Sequence, residues 1–388
     1  MNTYTIYSDL NQPYQNSLKR NIAAKNHVLD IYSLIKDLTI DDFTQNPLFS
    51  TADAILQNLI STQIKAKGFR GVVLTAIVGK YLNPNYDFLN DFYSCNPRSI
   101  FEQGIFLALK ELQIPSGKSD PLNVAKNTSL LDLNWADGKR PQKAAEAVVN
   151  YLNLLSKSYK DAEKYEYLVK LFMFRLKELS DHHSKLTITP VTATGDTPQE
   201  LAIKLWDFVS RAVEGGTIPQ FFIGILLEAI HLHDKKVSIE GTRESVSGTN
   251  TTSKKPGDLI ILRDGKPISV LEVTLKNVDA KRLSDSYDVL NELNYLDVPI
   301  TFICRLPEDA KSLKDIAYSS NKSSGFIKDP HYFNFVDMQS FICAQLTLLD
   351  ATQINYLLTN LREFVNSYDR PIQTKNVWNK CFPSNEEI

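Results

Sequence analysis

Three side chains in the second half of this 388-residue chain have the types and spacing for chemistry on an oxygen-rich substrate: Asp258, Glu272 and Lys276. Asp258 closes a Pro-Gly-Asp triplet just ahead of the apolar run 259–262, and Glu272 lies inside the next apolar run, residues 266–275. Between them stands Arg263-Asp264-Gly265-Lys266, and Asp-Gly supplies the positive φ angles of a tight hairpin turn. The hairpin sets the two carboxylates on neighbouring strands, where they can share one cation. Side chains alternate along a strand, so Glu272, Thr274 and Lys276 face one way while Leu271, Val273 and Leu275 face a core. Burying acids is costly unless they are paired or bind metal. A hard Mg²⁺ ion takes oxygen ligands from one or two carboxylates and a substrate phosphate, and a nearby lysine holds or activates the attacking water. The chemistry this predicts is phosphodiester hydrolysis. The competing reading is a solvent-facing strand on which Glu272 and Lys276 make an ordinary surface ion pair.

A further acid, Glu228, lies in the apolar stretch 219–233 directly before these strands. It is either an accessory acid that hydrogen-bonds metal-bound water or a glutamate on a helix surface. His231 and His233 are two apart, which on a helix places them on different faces and not at the spacing of a zinc pair. Both, like His182 and His183, read as structural or solvent-exposed. For contact with a nucleic acid the best stretch is residues 240–256, with Arg243, Asn250, Lys254 and Lys255 as the candidate side chains. Between His231 and Arg282 there are ten basic and seven acidic residues, whereas the whole chain carries a net charge of −2. Hydroxyl and amide groups at Ser247, Thr249, Asn250, Thr251, Thr252 and Ser253 suit phosphates or base edges. The alternative is a solvated loop.

The elements that must position these groups follow from periodicity. Apolar residues recur three and four apart from Ile22 to about Leu179, which predicts a mostly helical body with no trusted nucleophile constellation. The polar stretch 181–199, which mixes Pro, Gly, Thr and Ser, ends that pattern and is read as the boundary between domains. The predicted domains are residues 1–190, mostly helical, and residues 191–388. In the second, helices are expected over 199–212 and 219–232, strands over 256–262, 266–275 and 298–304, and a helix over 279–296. A helical crossover of that length makes the strands it joins parallel, so the sheet is mixed. The rest, from Glu308 onward, alternates helical and short extended patterns and is expected to cover the sheet. With 43% apolar and 23% charged residues the chain is a folded protein, not a polycation. Its four cysteines, Cys95, Cys304, Cys343 and Cys381, form no CxxC pair, which argues against a zinc ribbon, a redox motif or a disulfide framework. No secretory signal or membrane-spanning run is recognised, so a cytoplasmic location is expected.

An acid at a strand start, a hairpin, then Glu and Lys on one face of the next strand followed by a crossover helix is the arrangement of the PD-(D/E)xK nucleases. The stretch PGDLIILRDGKPISVLEVTLKNV further resembles the SacI family of type II restriction endonucleases, in its Pro-Gly-Asp, its Asp-Gly hairpin and its Glu-Val-x-x-Lys ending. The stretch from Arg70 to Ile114 with DPLNVAK after it also looks like that family's helical region, so the resemblance spans roughly residues 50 to 345. It implies an α/β restriction-endonuclease-like mixed central sheet flanked by helices, behind an N-terminal mostly helical domain. It also implies a Mg²⁺-dependent homodimer that cuts both strands of double-stranded DNA at a short palindrome, with GAGCTC as the first site to try. A cognate DNA methyltransferase would act on the same site. Asp258 and Glu272 would be the metal ligands and Lys276 the positioned base. One position departs from the common motif: lysine is expected two residues after the glutamate, where this chain has Thr274. Lys276 lies about 7 Å further along the strand. The alternatives are a repair or mobile-element nuclease of the same fold, and a DNA-binding protein that keeps the sheet without catalysis.

Overall fold

The computed structural model describes residues 16–60, 66–186, 188–191, 196–244, 255–275, 280–309 and 333–383. The chain divides into two compact units, Met1–Leu186 and Thr187–Ile388.

The first unit is helical among its described residues. Its longer helices are α1 (Ser17–Ile35), α2 (Phe49–Ile60), α3 (Lys67–Leu82), α4 (Gln142–Ser158) and α5 (Ala162–Lys185). They meet in one core that includes Val28, Leu56, Val73, Tyr151, Leu168 and Phe172. The Tyr151 hydroxyl donates to the Leu168 carbonyl at 2.7 Å, which joins α4 to α5 and satisfies a buried polar atom. Asp161 caps α5 by accepting the N–H of Lys164. That helix then continues through Asp181, His182 and His183 to Lys185, past the start of the polar stretch predicted to end it. The reason is amphipathic packing: Leu176, Leu179 and His183 are buried on one face while the polar residues lie on the other.

The second unit opens with α6 (Pro198–Arg211) and α7 (Thr217–Ile230). Thr197 starts α6 with a capping box to Glu200, and Pro198 occupies the first turn, where its missing N–H costs nothing. Five strands follow: β1 (Val237–Glu240), β2 (Leu259–Arg263), β3 (Lys266–Thr274), β4 (Ile300–Cys304) and β5 (Phe333–Asp337). They lie in the order β1-β2-β3-β4-β5, antiparallel from β1 to β3 and parallel from β3 to β5. The predicted hairpin is present. Asp264 and Gly265 have φ of 48° and 75°, so both central residues of the turn take the left-handed conformation that matches strand twist. Helix α8 (Ala280–Glu292) carries the chain from β3 to the parallel β4. Helices α9 (Met338–Leu346), α10 (Ala351–Asn366) and α11 (Ile372–Cys381) complete the unit.

β1 has no counterpart among the elements expected from periodicity, and β5 is a short extended stretch in the segment after Glu308 that joins the sheet. β1 lies on one edge and β5 on the other, so the segment after Glu308 does not merely cover the sheet. Both faces of the sheet are covered. Leu259, Ile261, Leu271, Val273 and Ile303 pack with the core of α6, α7, α9 and α10. Ile260, Val270, Ile300, Phe302 and Cys304 pack on the opposite side with Leu283, Tyr287 and Leu290 of α8. The architecture is α/β, with a mixed sheet between helical layers. Among the described residues no single helix is long and apolar enough to cross a membrane.

Candidate functional site

The acid pair is built by the backbone before any side chain enters. Leu259 pairs with Leu271 and Ile260 with Val270, so Asp258, one residue before β2, lies across from Glu272. Two glycines allow that register. A Cβ at Gly257 would lie 2.5 Å from a methyl of Val270 and 2.9 Å from the Leu271 carbonyl oxygen. Gly241, at φ 95°, would place a Cβ 2.0 Å from the carbonyl oxygen of Asp258. Its own carbonyl accepts the side-chain amide of Gln220 in α7 at 2.8 Å. The Pro-Gly-Asp triplet is therefore wedged between β3 and the turn after β1, at a closeness only glycine permits.

Asp258 Oδ2 accepts the backbone N–H of Val273 at 2.9 Å. Its carboxyl also lies within hydrogen-bonding reach of Glu272. Burial pushes the Asp258 carboxyl above its ordinary pKa, against the lowering effects of the Val273 bond, the Arg282 charge and Glu272. Glu272 is fully buried, at 0% exposure, and Thr274 follows at 2%. The expected alternation holds, but the face carrying Glu272 and Thr274 is roofed by α8. The alternative of a solvent-facing strand with Glu272 in a surface ion pair is thereby set aside.

One partner of Glu272 is a residue that sequence reasoning missed. Arg282, in the first turn of α8, places Nη2 3.0 Å from Glu272 Oε2 and Nη1 3.5 Å from Thr274 Oγ1. The only sequence signal was a basic residue shortly after the strand that bears the acid. Its neighbour Lys281 turns outward and stands 3.5 Å from Asp285. Lys276, the expected catalytic lysine, lies outside the described residues, as do Asn250 and Lys254.

The other candidates are engaged in their own contacts. Glu228, on α7, accepts both guanidinium nitrogens of Arg243, at 2.7 and 3.2 Å, and the hydroxyl of Tyr356 at 2.8 Å. Burial works to raise its pKa, yet these bonds hold the carboxyl below its ordinary value. Its side chain is 16% exposed, so the helix-surface reading fails in its simple form. Arg243 also lies over the Phe221 ring, 5.9 Å from its centroid. Lys255 pairs with Glu244. His233 bonds Asp350 at 3.0 Å at the surface, and burial lowers the pKa of His231.

Among the described residues no group of three or more His, Cys, Asp or Glu side chains is arranged to hold a metal ion. What the site offers is two carboxylates and a guanidinium at the end of a hairpin, an oxygen donor set with one cation already against it. Compared with known proteins, the chain matches no family model and no curated protein.

Proposed function

We propose that the second unit is a Mg²⁺-dependent nuclease acting on double-stranded DNA, a type II restriction endonuclease that works as a homodimer on a short palindrome. The observation that carries this reading is the pairing of Asp258 with Glu272 across the hairpin, both acids on the sheet face beneath the crossover helix. Two carboxylates in reach of one another and partly or fully buried repel unless a cation or a proton lies between them. An oxygen-only donor set suits a hard ion, and Mg²⁺ is usually held by one or two carboxylates with water and substrate phosphate completing the shell. Asp258 and Glu272 would hold it. When bound, the ion supplies Lewis-acid polarisation of the phosphate and a more acidic water.

The chain's own contribution is placement. The Val273 N–H fixes one oxygen of Asp258, and Arg282 fixes one oxygen of Glu272, so neither acid can rotate without breaking a bond. In the hydrolysis this reading implies, the water oxygen bonds to phosphorus and one bridging P–O bond breaks. The departing oxygen takes up a proton to become a hydroxyl, and the second water proton passes to solvent. A two-fold homodimer would repeat the site once per strand of a palindrome.

One observation favours a second reading, a DNA-binding protein without catalysis. Arg282 already neutralises Glu272, and Thr274 stands where the common motif has lysine. Incubation of the full chain with supercoiled plasmid carrying GAGCTC, in Mg²⁺ and in EDTA, decides between them. The nuclease reading expects Mg²⁺-dependent linear product of defined length. Plasmid bound but left intact at every divalent ion tried supports the binder.

A further inference from the structure

The departure at Thr274 has a structural answer on the next element. We propose that Arg282 is the working cation of this site, delivered by the crossover helix to the place where the strand itself carries no charge, and that its guanidinium meets a phosphate of the DNA backbone. The proposal rests on the reading of the second unit as a DNA-acting domain.

Thr274 lies two residues after Glu272, on the same face of β3, and its hydroxyl cannot supply positive charge. Arg282 spans both, 3.0 Å from Glu272 and 3.5 Å from Thr274. Glu272 is sealed from solvent, whereas the Arg282 side chain is 36% exposed. Of Glu272, Thr274 and Arg282, the arginine is therefore the side chain that reaches solvent. Its position is fixed from behind: Leu283, the next residue, is fully buried with Tyr287 and Leu290 against Ile300 and Phe302 of β4. A planar fork of N–H donors matches the oxygens of a phosphate as well as those of a carboxylate. A guanidinium does not act as a base, so the role is charge: it holds Glu272 in the absence of substrate and offsets charge on the phosphate when substrate is bound. Lys281 has no share in it, since it points outward to Asp285.

The test uses the full chain with Arg282→Ala, Arg282→Lys and the double variant Arg282→Ala/Thr274→Lys. Binding to a duplex carrying GAGCTC is measured over a series of salt concentrations in Ca²⁺, and cleavage of plasmid carrying the same site in Mg²⁺. One lost phosphate contact lowers the slope of log affinity against log salt by about 0.9. Arg282→Ala is expected to show that drop, and Arg282→Lys to keep the wild-type slope. Cleavage by Arg282→Ala should fall by about 10²–10³-fold, as for loss of one preorganised donor. The double variant should recover much of it, because the charge then comes from the strand. A purely structural arginine would not be replaced by a lysine at position 274. An unchanged salt slope in Arg282→Ala overturns the proposal whatever the plasmid shows. A slope that falls while wild type cuts nothing sinks the nuclease reading and leaves Arg282 as a phosphate contact. No binding by wild type overturns both.

Discussion

Asp258 accepts the backbone N–H of Val273 at 2.9 Å, so the acid that ends the loop before β2 is pinned to the strand that carries Glu272. Nothing in the side chains alone enforces this. It follows from a two-residue turn that sets the register, from Gly257, which lets the loop lie against β3, and from Gly241, which lets the turn after β1 lie against Asp258. The acid pair is thus a property of the backbone, and substitutions of the acids should alter chemistry without altering the fold.

On that basis Asp258→Ala and Glu272→Ala should each reduce plasmid cleavage by about 10³-fold or more, the cost of losing a metal ligand's several kcal/mol of transition-state stabilisation. Duplex binding should be largely retained. Cleavage by either variant above about a tenth of wild type would remove the metal-ligand assignment, since such a loss is under about 1.4 kcal/mol.

The raised pKa of Asp258 bears on stability. An acid whose pKa is higher folded than unfolded binds its proton more tightly in the folded state, so at pH above both values ionising it works against folding. The penalty sets in as pH rises through the unfolded value, near 3.9 for an ordinary aspartate, and is complete above the folded one. Asp258→Asn, which still accepts the Val273 N–H, should therefore raise the melting temperature of metal-free protein at pH 7 by a few degrees, roughly the effect of 1 kcal/mol in a domain of this size. The gain should vanish at the acid end of the range. A lower melting temperature for Asp258→Asn in EDTA at pH 7 would show that the carboxylate is well compensated in the metal-free protein.

How much of this was legible in the sequence depends on whether the signal is local. The hairpin was, because Asp264-Gly265 encodes its own turn, and the shared side of Glu272 and Thr274 followed from strand alternation. What roofs that side was not. The register of α8 is set by Leu283, Tyr287 and Leu290 packing on β4, a long-range match that brings Arg282 over Glu272. β1 escaped notice because its four residues alternate between half-buried and exposed without an apolar run. β5, with Asn334 between two phenylalanines and only Phe333 buried, is equally faint. Glu228 stands out in the sequence as an acid inside an apolar stretch, but its partners do not. Arg243 and Tyr356 lie 15 and 128 residues away along the chain.

Glu228 supplies a contrast with the acid pair. Its folded pKa is depressed, so its contribution to stability is present above the unfolded value, near 4.3 for an ordinary glutamate, and is lost as pH falls through the folded one. Glu228→Gln should cost about 1 kcal/mol at pH 7, given that Arg243 is more than half exposed and the pair partly screened. The difference between variant and wild type should shrink below about pH 4. Urea unfolding at pH 7 and pH 3.5 measures both. If Glu228 acts only through this network, cleavage by Glu228→Gln should stay within about ten-fold of wild type, whereas a proton-transferring acid would cost about 10²–10⁴-fold.

The glycines around Asp258 give the sharpest separation between sites that merely turn and sites that approach. Gly265 has a φ of 75° and nothing within 4 Å of where a Cβ would stand, so Gly265→Ala should cost only about 1 kcal/mol, the strain of a left-handed alanine. Gly241→Ala combines a φ of 95° with a Cβ 2.0 Å from the Asp258 carbonyl oxygen, which is backbone and cannot swing aside. Gly257→Ala would meet Val270 at 2.5 Å and the Leu271 carbonyl at 2.9 Å. Both should cost about 3 kcal/mol or more, as overpacking with backbone displacement does. In whatever fraction stays folded, moving Asp258 by a few tenths of an ångström from Val273 should lower cleavage further than the folded fraction accounts for, because catalytic geometry tolerates little displacement. Specific activity normalised to folded protein by circular dichroism tests this. Equal normalised activities for Gly241→Ala, Gly257→Ala and Gly265→Ala would mean that the wedge around Asp258 does not hold the acid in place.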